Sequence, residues 1–146
     1  MSQVLEAKEI NSMADVEIGQ IVYSSWGYDQ TNIDFYKVIR KTAAMVELRA
    51  IGQKYLESTS SMSEYVVADA DNELFETDYV KREIAVKNNW EIVGEDDGVS
   101  DYVRARYAAV SKHRAQFSNG RLAVKFASYK YGWSWDGQKL HQSHWA

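Results

Sequence analysis

The chain has 146 residues, 45% apolar and 26% charged, with a net charge of −4, which predicts one globular domain with a real core and excludes a fibrous or disordered chain. It contains no cysteine, so disulfides, thiolate metal ligands and cysteine nucleophiles are excluded and a reducing compartment is expected. No apolar run reaches the length of a membrane span and the start, MSQVLEAKEI, lacks the pattern of a signal peptide, so the expected setting is the cytoplasm, with no membrane partner.

In chain order, residues 1–18 read as an arm in which Val4, Leu5 and Ile10 mark a short helix or a docked segment. Residues 20–51 read as a three-strand antiparallel meander. Gln20–Trp26 is rich in β-branched and aromatic residues, Ile33–Lys41 alternates, and Met45–Ile51 directs Val46 and Leu48 inward. The middle, 57–99, is acidic and less regular: a polar loop at 58–63, a short strand at 64–67, a turn at 68–72 and a strand at 81–87. Ser100 or Asp101 looks like a helix N-cap, and Tyr102, Ala105, Ala109, Val110, His113 and Phe117 fall at helical spacing. One main helix is therefore expected over 100–118, stopped by Asn119-Gly120. Arg121–Tyr131 reads as a last long strand, within a C-terminal aromatic strand and tail over 121–146. The expected fold is α+β: a small antiparallel, SH3-like curled sheet or barrel with that helix inserted, in a single domain with no repeat.

Aromatics make up 13% of the chain, more than such a core needs, and Tyr and Trp carry polar tips that want a wet edge or a partner. Two segments hold the candidates. The first, Ser24–Tyr36, sets Trp26, Tyr28, Asp29, Gln30, Asn32, Asp34 and Tyr36 between two apolar runs. That mixture makes either a rigid self-bonded corner or a recognition loop. The second, Tyr129–Asp136, alternates so that Tyr129, Tyr131, Trp133 and Trp135 share one strand face, with Asp136 following. It reads as core against the first hairpin, or as a stacking platform for single-stranded nucleic acid with Arg121, Lys125, Lys130 and Lys139.

Charge is polarised along the chain. Glu91, Glu95, Asp96, Asp97 and Asp101 crowd the acidic middle, while the segment from Tyr102 onward is basic. The two pair on the surface, or the acidic run meets a basic partner. His113 reads as a packed histidine. His141 and His144 lie three apart without a third ligand, so no metal and no cofactor are expected. No phosphate loop, dinucleotide glycine set or nucleophile elbow is present, and no catalytic residue and no enzyme activity are expected.

The run Ser25-Trp26-Gly27-Tyr28-Asp29-Gln30-Thr31-Asn32-Ile33-Asp34-Phe35-Tyr36, with Trp135-Asp136-Gly137 near the C-terminus, resembles a family of small uncharacterised proteins carried by bacteriophages and plasmids. The likeness covers the first fifty residues and the last twenty-five. It implies a mobile-element accessory protein in a bacterial host, a setting in which small proteins disarm host defences, anti-CRISPR proteins among them. The reading that follows is a non-catalytic inhibitor of a host protein complex, such as a defence nuclease, its acidic middle meeting a nucleic-acid channel. The alternatives are a single-stranded nucleic-acid binder using the aromatic and basic stripe, and a small-ligand binder that sequesters a nucleotide.

Overall fold

The computed structural model describes residues 9–27, 30–94 and 100–143. The described chain is mostly strand and divides into two compact units: Leu74–Ala109 is one, and the residues on either side of it form the other.

In the larger unit the strands are β1 (Ile21–Trp26), β2 (Asn32–Lys41), β3 (Met45–Ser60) and β4 (Ser63–Glu73). The smaller unit supplies β5 (Phe75–Lys81), α1 (Arg82–Lys87), β6 (Glu91–Gly94) and β7 (Tyr102–Ala108). The larger unit then resumes with β8 (Val110–Arg114), β9 (Gln116–Ser118), β10 (Arg121–Ala127), β11 (Lys130–Ser134) and β12 (Leu140–Ser143).

The larger unit is a curled antiparallel sheet of order β12-β4-β3-β2-β1-β11-β10-β9. The expected meander is its centre, and β11 lies on β1 with Tyr23 opposite Trp133. β8 pairs with the first half of β3 and β9 pairs with β10, so the run 110–118 closes a ring through β3, β2, β1, β11 and β10. Inside this ring lie Val22, Val38, Val46, Leu48, Leu122 and Val124, joined by Ile10 and Val16 of the N-terminal arm. The described part of the arm, from Glu9, is docked: Ile10 donates its N–H to the Gly120 carbonyl and is buried, while Val4 and Leu5 lie outside the described residues.

A second cluster, Ile33, Phe35, Ile51 and Val66, occupies the opposite face of β2 and β3 and is covered by Trp135 and Leu140. Residues of β2 therefore face apolar surroundings on both sides, Phe35 on one and Val38 on the other. β12 completes this lobe. It pairs with β4, and its Ser143 exchanges hydrogen bonds with Thr31 at the entrance to β2 (Ser143 N–H to Thr31 O, 3.0 Å; Thr31 N–H to Ser143 Oγ, 3.0 Å).

Several expectations are corrected. No helix spans 100–118; that segment is β7, β8 and β9. Its real period is two: Val103 and Ala105 are buried while Tyr102 and Arg104 are exposed, and β5 and β6 supply β7 with hydrogen-bond partners. The alanines and the Asp101 cap signal imitated a helix, and tertiary pairing overrode them. The only α-helix among the described residues is the short α1, where a strand was expected. It is seated by buried Ala85, which packs with Val103, Ala105, Val80 and Trp90. The single strand expected at 121–131 is a hairpin, β10 and β11, with a bulge between Lys125 and Ala127. Residues 68–72 continue β4 rather than turning. No helix among the described residues is long and apolar enough to cross a membrane.

Candidate functional site

The 24–36 segment and the C-terminal strand meet, but they divide between the two faces of the sheet. Along β1 and β11 the pleat sends Val22, Ser24, Gly132 and Ser134 into the ring, and Tyr23, Tyr131 and Trp133 to the outer face. Ser24 is fully buried and satisfied by the Tyr131 carbonyl at 2.7 Å.

Inside one end of the ring, Trp26, Asp34 and Tyr36 converge on Lys130. Its Nζ donates to Asp34 Oδ2 and to Tyr36 Oη, both at 2.8 Å. It also lies 5.1, 5.4 and 5.2 Å from the ring centroids of Trp26, Tyr36 and Phe126. Trp26 Nε1–H donates to the same Asp34 oxygen at 2.7 Å, Tyr36 stacks on Phe126, and Trp26 also meets Tyr129. Burial pulls the Lys130 ammonium down, but the Asp34 and Tyr36 hydrogen bonds outweigh it and its pKa stands above the usual lysine value. Burial raises the Tyr36 phenol, with Lys130 opposing. The chain fills this aromatic and carboxylate cage with its own cation. Lys130 is thus a structural plug and not part of a basic stripe.

The outer face of the same strands groups aromatic rings with cations. Tyr131 is 44% exposed and lies under Lys125 Nζ, 5.9 Å from its centroid. The Arg121 guanidinium lies 5.6 Å from the Tyr23 ring and 5.8 Å from the Trp133 ring, donating to Tyr23 Oη at 3.0 Å and to the Ser134 carbonyl at 3.3 Å. Tyr131, Trp133, Arg121 and Lys125 therefore share one sheet face with Tyr23, which is partly buried against the Ile33–Phe35 cluster; Tyr131 and Lys125 are exposed there. The expected four-ring stripe is shorter. Tyr129 stands in the β10–β11 turn, and Trp135 packs edge-on against Phe35 with its Nε1–H on the Gln138 carbonyl. Asp136 accepts the Gln138 N–H in the connection between β11 and β12. Lys139 is also elsewhere, paired with Glu57 at 2.7 Å and lying over Tyr65; Glu57 raises its pKa.

The smaller unit sorts its charges in the same way. Cross-strand pairs Tyr79↔Arg104 and Lys81↔Tyr102 place aromatic beside cation, and the Arg106 guanidinium lies 4.0 Å over the Phe75 ring. Phe75, Tyr79, Lys81, Tyr102, Arg104 and Arg106 thus lie on one face of the sheet, with Tyr79 66% exposed, while Glu76, Asp78 and Val80 take the other. Of the expected acidic partner face, Glu91 pairs with Arg106 and Asp101 gives its carbonyl to the Arg82 N–H. Glu95, Asp96 and Asp97 lie outside the described residues, as do Tyr28, Asp29 and His144.

Of the remaining candidates, Gln30 Nε2–H donates to Asn32 Oδ1 at 3.0 Å, a bond within the loop. Asn32 and Asp34 also line a cavity of about 310 Å³ that Trp26, Gln53, Tyr55, Glu64 and Gln142 complete. His113 lies on β8, not on a helix. Its Nδ1–H donates to the Lys125 carbonyl, its Nε2 accepts from Ser111, and its ring stands edge-on to Phe126. Burial lowers its pKa against the raising effect of that carbonyl. His141 packs edge-on to Tyr65. Among the described residues no group of three or more His, Asp or Glu is placed to hold a metal ion.

Sequence reasoning passed over Tyr23, Phe126 and the aromatic and basic residues of β5 and β7. The signal was present as strict alternation in Phe75-Glu76-Thr77-Asp78-Tyr79 and Tyr102-Val103-Arg104-Ala105-Arg106. Comparison with family models, with curated proteins and with solved structures finds no match to this chain.

Proposed function

We propose that this protein binds single-stranded nucleic acid without catalysing a reaction, using an open sheet face on each of its two units. The observation that carries the reading is the sorting of aromatic and cationic side chains onto the same faces: Tyr23, Tyr131 and Trp133 with Arg121 and Lys125, and Phe75, Tyr79 and Tyr102 with Lys81, Arg104 and Arg106. Rings on a flat pleated face accept bases by stacking, and guanidinium groups beside them add phosphate contacts and stacking planes of their own. Neither face needs a unique base order, so the binding is of the sequence-tolerant kind. We read the curled sheet as SH3-like, a support whose function lies in the surface grafted on it.

Fluorescence anisotropy with a labelled single-stranded oligonucleotide tests this. If all five cations engage phosphates, log K falls against log salt with a slope of about −3.5. Trp133→Ala and Tyr79→Ala each weaken binding. A slope near zero, or full binding by both variants, refutes the proposal.

A second reading has one observation in its favour. Beside α1 a groove of about 660 Å³ is bordered by Val86 and Tyr102 among the charged residues Lys81, Arg82, Glu83, Lys87 and Asp101, and Val86 and Ile84 are exposed apolar residues on a helix of six. That surface suits a protein partner and keeps alive the inhibitor of a host defence complex that the family resemblance implies. A pull-down from bacterial lysate, with and without nuclease digestion, separates the two. A stoichiometric protein that survives digestion and is lost with Val86→Glu favours the inhibitor.

A further inference from the structure

The cavity beside the Ile33–Phe35 cluster of the larger unit is a different kind of site from the sheet faces. It lies where β12 closes back onto the entrance of β2, and it is lined by carboxylates, side-chain amides, a hydroxyl and two aromatic side chains, with Ile33. Two carboxylates line it, the buried Glu64 and Asp34, the latter already holding Lys130, and among the described residues its lining contains no cationic side chain. Gln142 Nε2–H donates to Glu64 Oε1 at 2.8 Å, fixing the orientation of that carboxylate. Gln53 also lines the cavity, and its Oε1 is buried with no hydrogen-bond partner among the described residues. A buried amide oxygen without a donor costs free energy, which a ligand donor reaching it would recover. The rings of Trp26 and Tyr55 supply the flat walls.

This set selects against anions, since a phosphate would meet the Glu64 carboxylate and an Asp34 carboxylate whose cation, Lys130, is already engaged. It selects for a planar cation rich in N–H donors. Guanidinium meets each requirement: it forks onto a carboxylate, donates to an amide oxygen, lies against aromatic faces and is weakly hydrated. We propose that this cavity binds a guanidinium group, which can reach it on a free small molecule or on an arginine side chain of a partner. The proposal does not depend on the nucleic-acid reading, because it uses none of the residues of the two open faces.

The full-length protein is titrated by NMR with agmatine, with the tripeptide Gly-Arg-Gly, and with citrulline, whose ureido group has the shape without the charge. The expected result is saturable binding near a Kd of about 1 mM or tighter, with the Trp26 indole N–H resonance shifting. Citrulline should leave that resonance in place. Glu64→Gln should weaken binding about tenfold. Gln53→Leu, which removes the amide oxygen without disturbing the Gln142–Glu64 pair, should also weaken it and serves if the Glu64 variant fails to fold. Tighter binding of agmatine assigns the site to a free guanidine, and tighter binding of the tripeptide assigns it to a partner's arginine. Equal response to citrulline, retained affinity in the Gln53→Leu protein, or no saturation by either guanidine overturns the proposal.

Discussion

Replacing Lys130 with methionine tests whether the caged lysine holds the ring together. The side chain is 15% exposed, and its ammonium makes two hydrogen bonds of 2.8 Å, to Asp34 and to Tyr36. Charged hydrogen bonds of this kind contribute about 1.5–3 kcal/mol, and a cation among aromatic rings adds about 0.5–2 kcal/mol. Two features reduce the loss. Asp34 is 42% exposed and keeps the Trp26 N–H, so it is not left as a buried unpaired charge. Methionine also retains the apolar stem between the rings, and it spares the ammonium its desolvation. The net destabilisation is therefore about 2 kcal/mol, a fall in Tm of about 4–8 °C for a chain of this size. Urea unfolding followed by tryptophan fluorescence measures it, since Trp26, Trp133 and Trp135 lie in the larger unit. Asp34→Asn in the same background closes a double-mutant cycle with an expected coupling of about 1 kcal/mol. A loss below about 0.5 kcal/mol, with the two changes additive, shows that the plug is surface decoration.

Other changes separate packing from chemistry. A Cβ added by Gly132→Ala meets Phe126 Cε2 at 2.6 Å and Val22 Cγ1 at 2.9 Å inside the ring, so overpacking should cost about 1–3 kcal/mol in urea unfolding. His113 has a folded pKa below its unfolded value, so the unfolded chain binds more protons in the interval between them. The stability it contributes is complete above the unfolded value of about 6.5 and is lost as pH falls through that value toward the folded one. His113→Gln should flatten that part of a pH–stability profile, and an unchanged slope would show that another group titrates there. On the outer face, Trp133→Ala should weaken binding of a single-stranded oligonucleotide by about 1–3 kcal/mol in anisotropy titrations. Lys139→Ala, paired with Glu57 away from that face, should leave the binding unchanged.

The meander and its junction with the C-terminal strand were legible because their residues are β-branched and aromatic and because β2 and β3 alternate. The ring closure by 110–118 was not. Tyr102, Ala105, Ala109 and His113 satisfy a helical period as well as a strand period, and the deciding hydrogen bonds come from β3 and β5, distant in sequence. The bulge at Lys125–Ala127 explains why the aromatic stripe was overcounted: it shifts the register of the hairpin, and Tyr129 ends in a turn. Lys130 was misassigned because its partners, Asp34 and Tyr36, lie about ninety residues earlier and no local pattern announces a caged cation. The lining of the cavity, from Trp26 to Gln142, is equally non-local.

Net charge explains why the basic faces stay hidden in composition. A strand's pleat separates neighbours in sequence, so a run such as Glu76-Thr77-Asp78-Tyr79-Val80-Lys81 averages to acidic while placing its acids on one face and Tyr79 and Lys81 on the other. β7 meets it with Arg104 and Arg106 on the Tyr79 side. The field felt by a ligand at that face comes from the cations within a Debye length of about 8 Å, with the chain total of −4 acting only at longer range. An acidic protein can therefore hold a polyanion on a sheet face, and added salt acts on both contributions. It weakens the local attraction and also screens the long-range repulsion, so the measured slope should be shallower than the five cations alone give. Reversing Glu76 and Asp78 to lysine, on the opposite face, would remove the repulsive part without touching the contacts. The double variant should bind the oligonucleotide more tightly at low salt and follow a steeper salt slope than the natural chain. Equal slopes would mean that the ligand lies elsewhere.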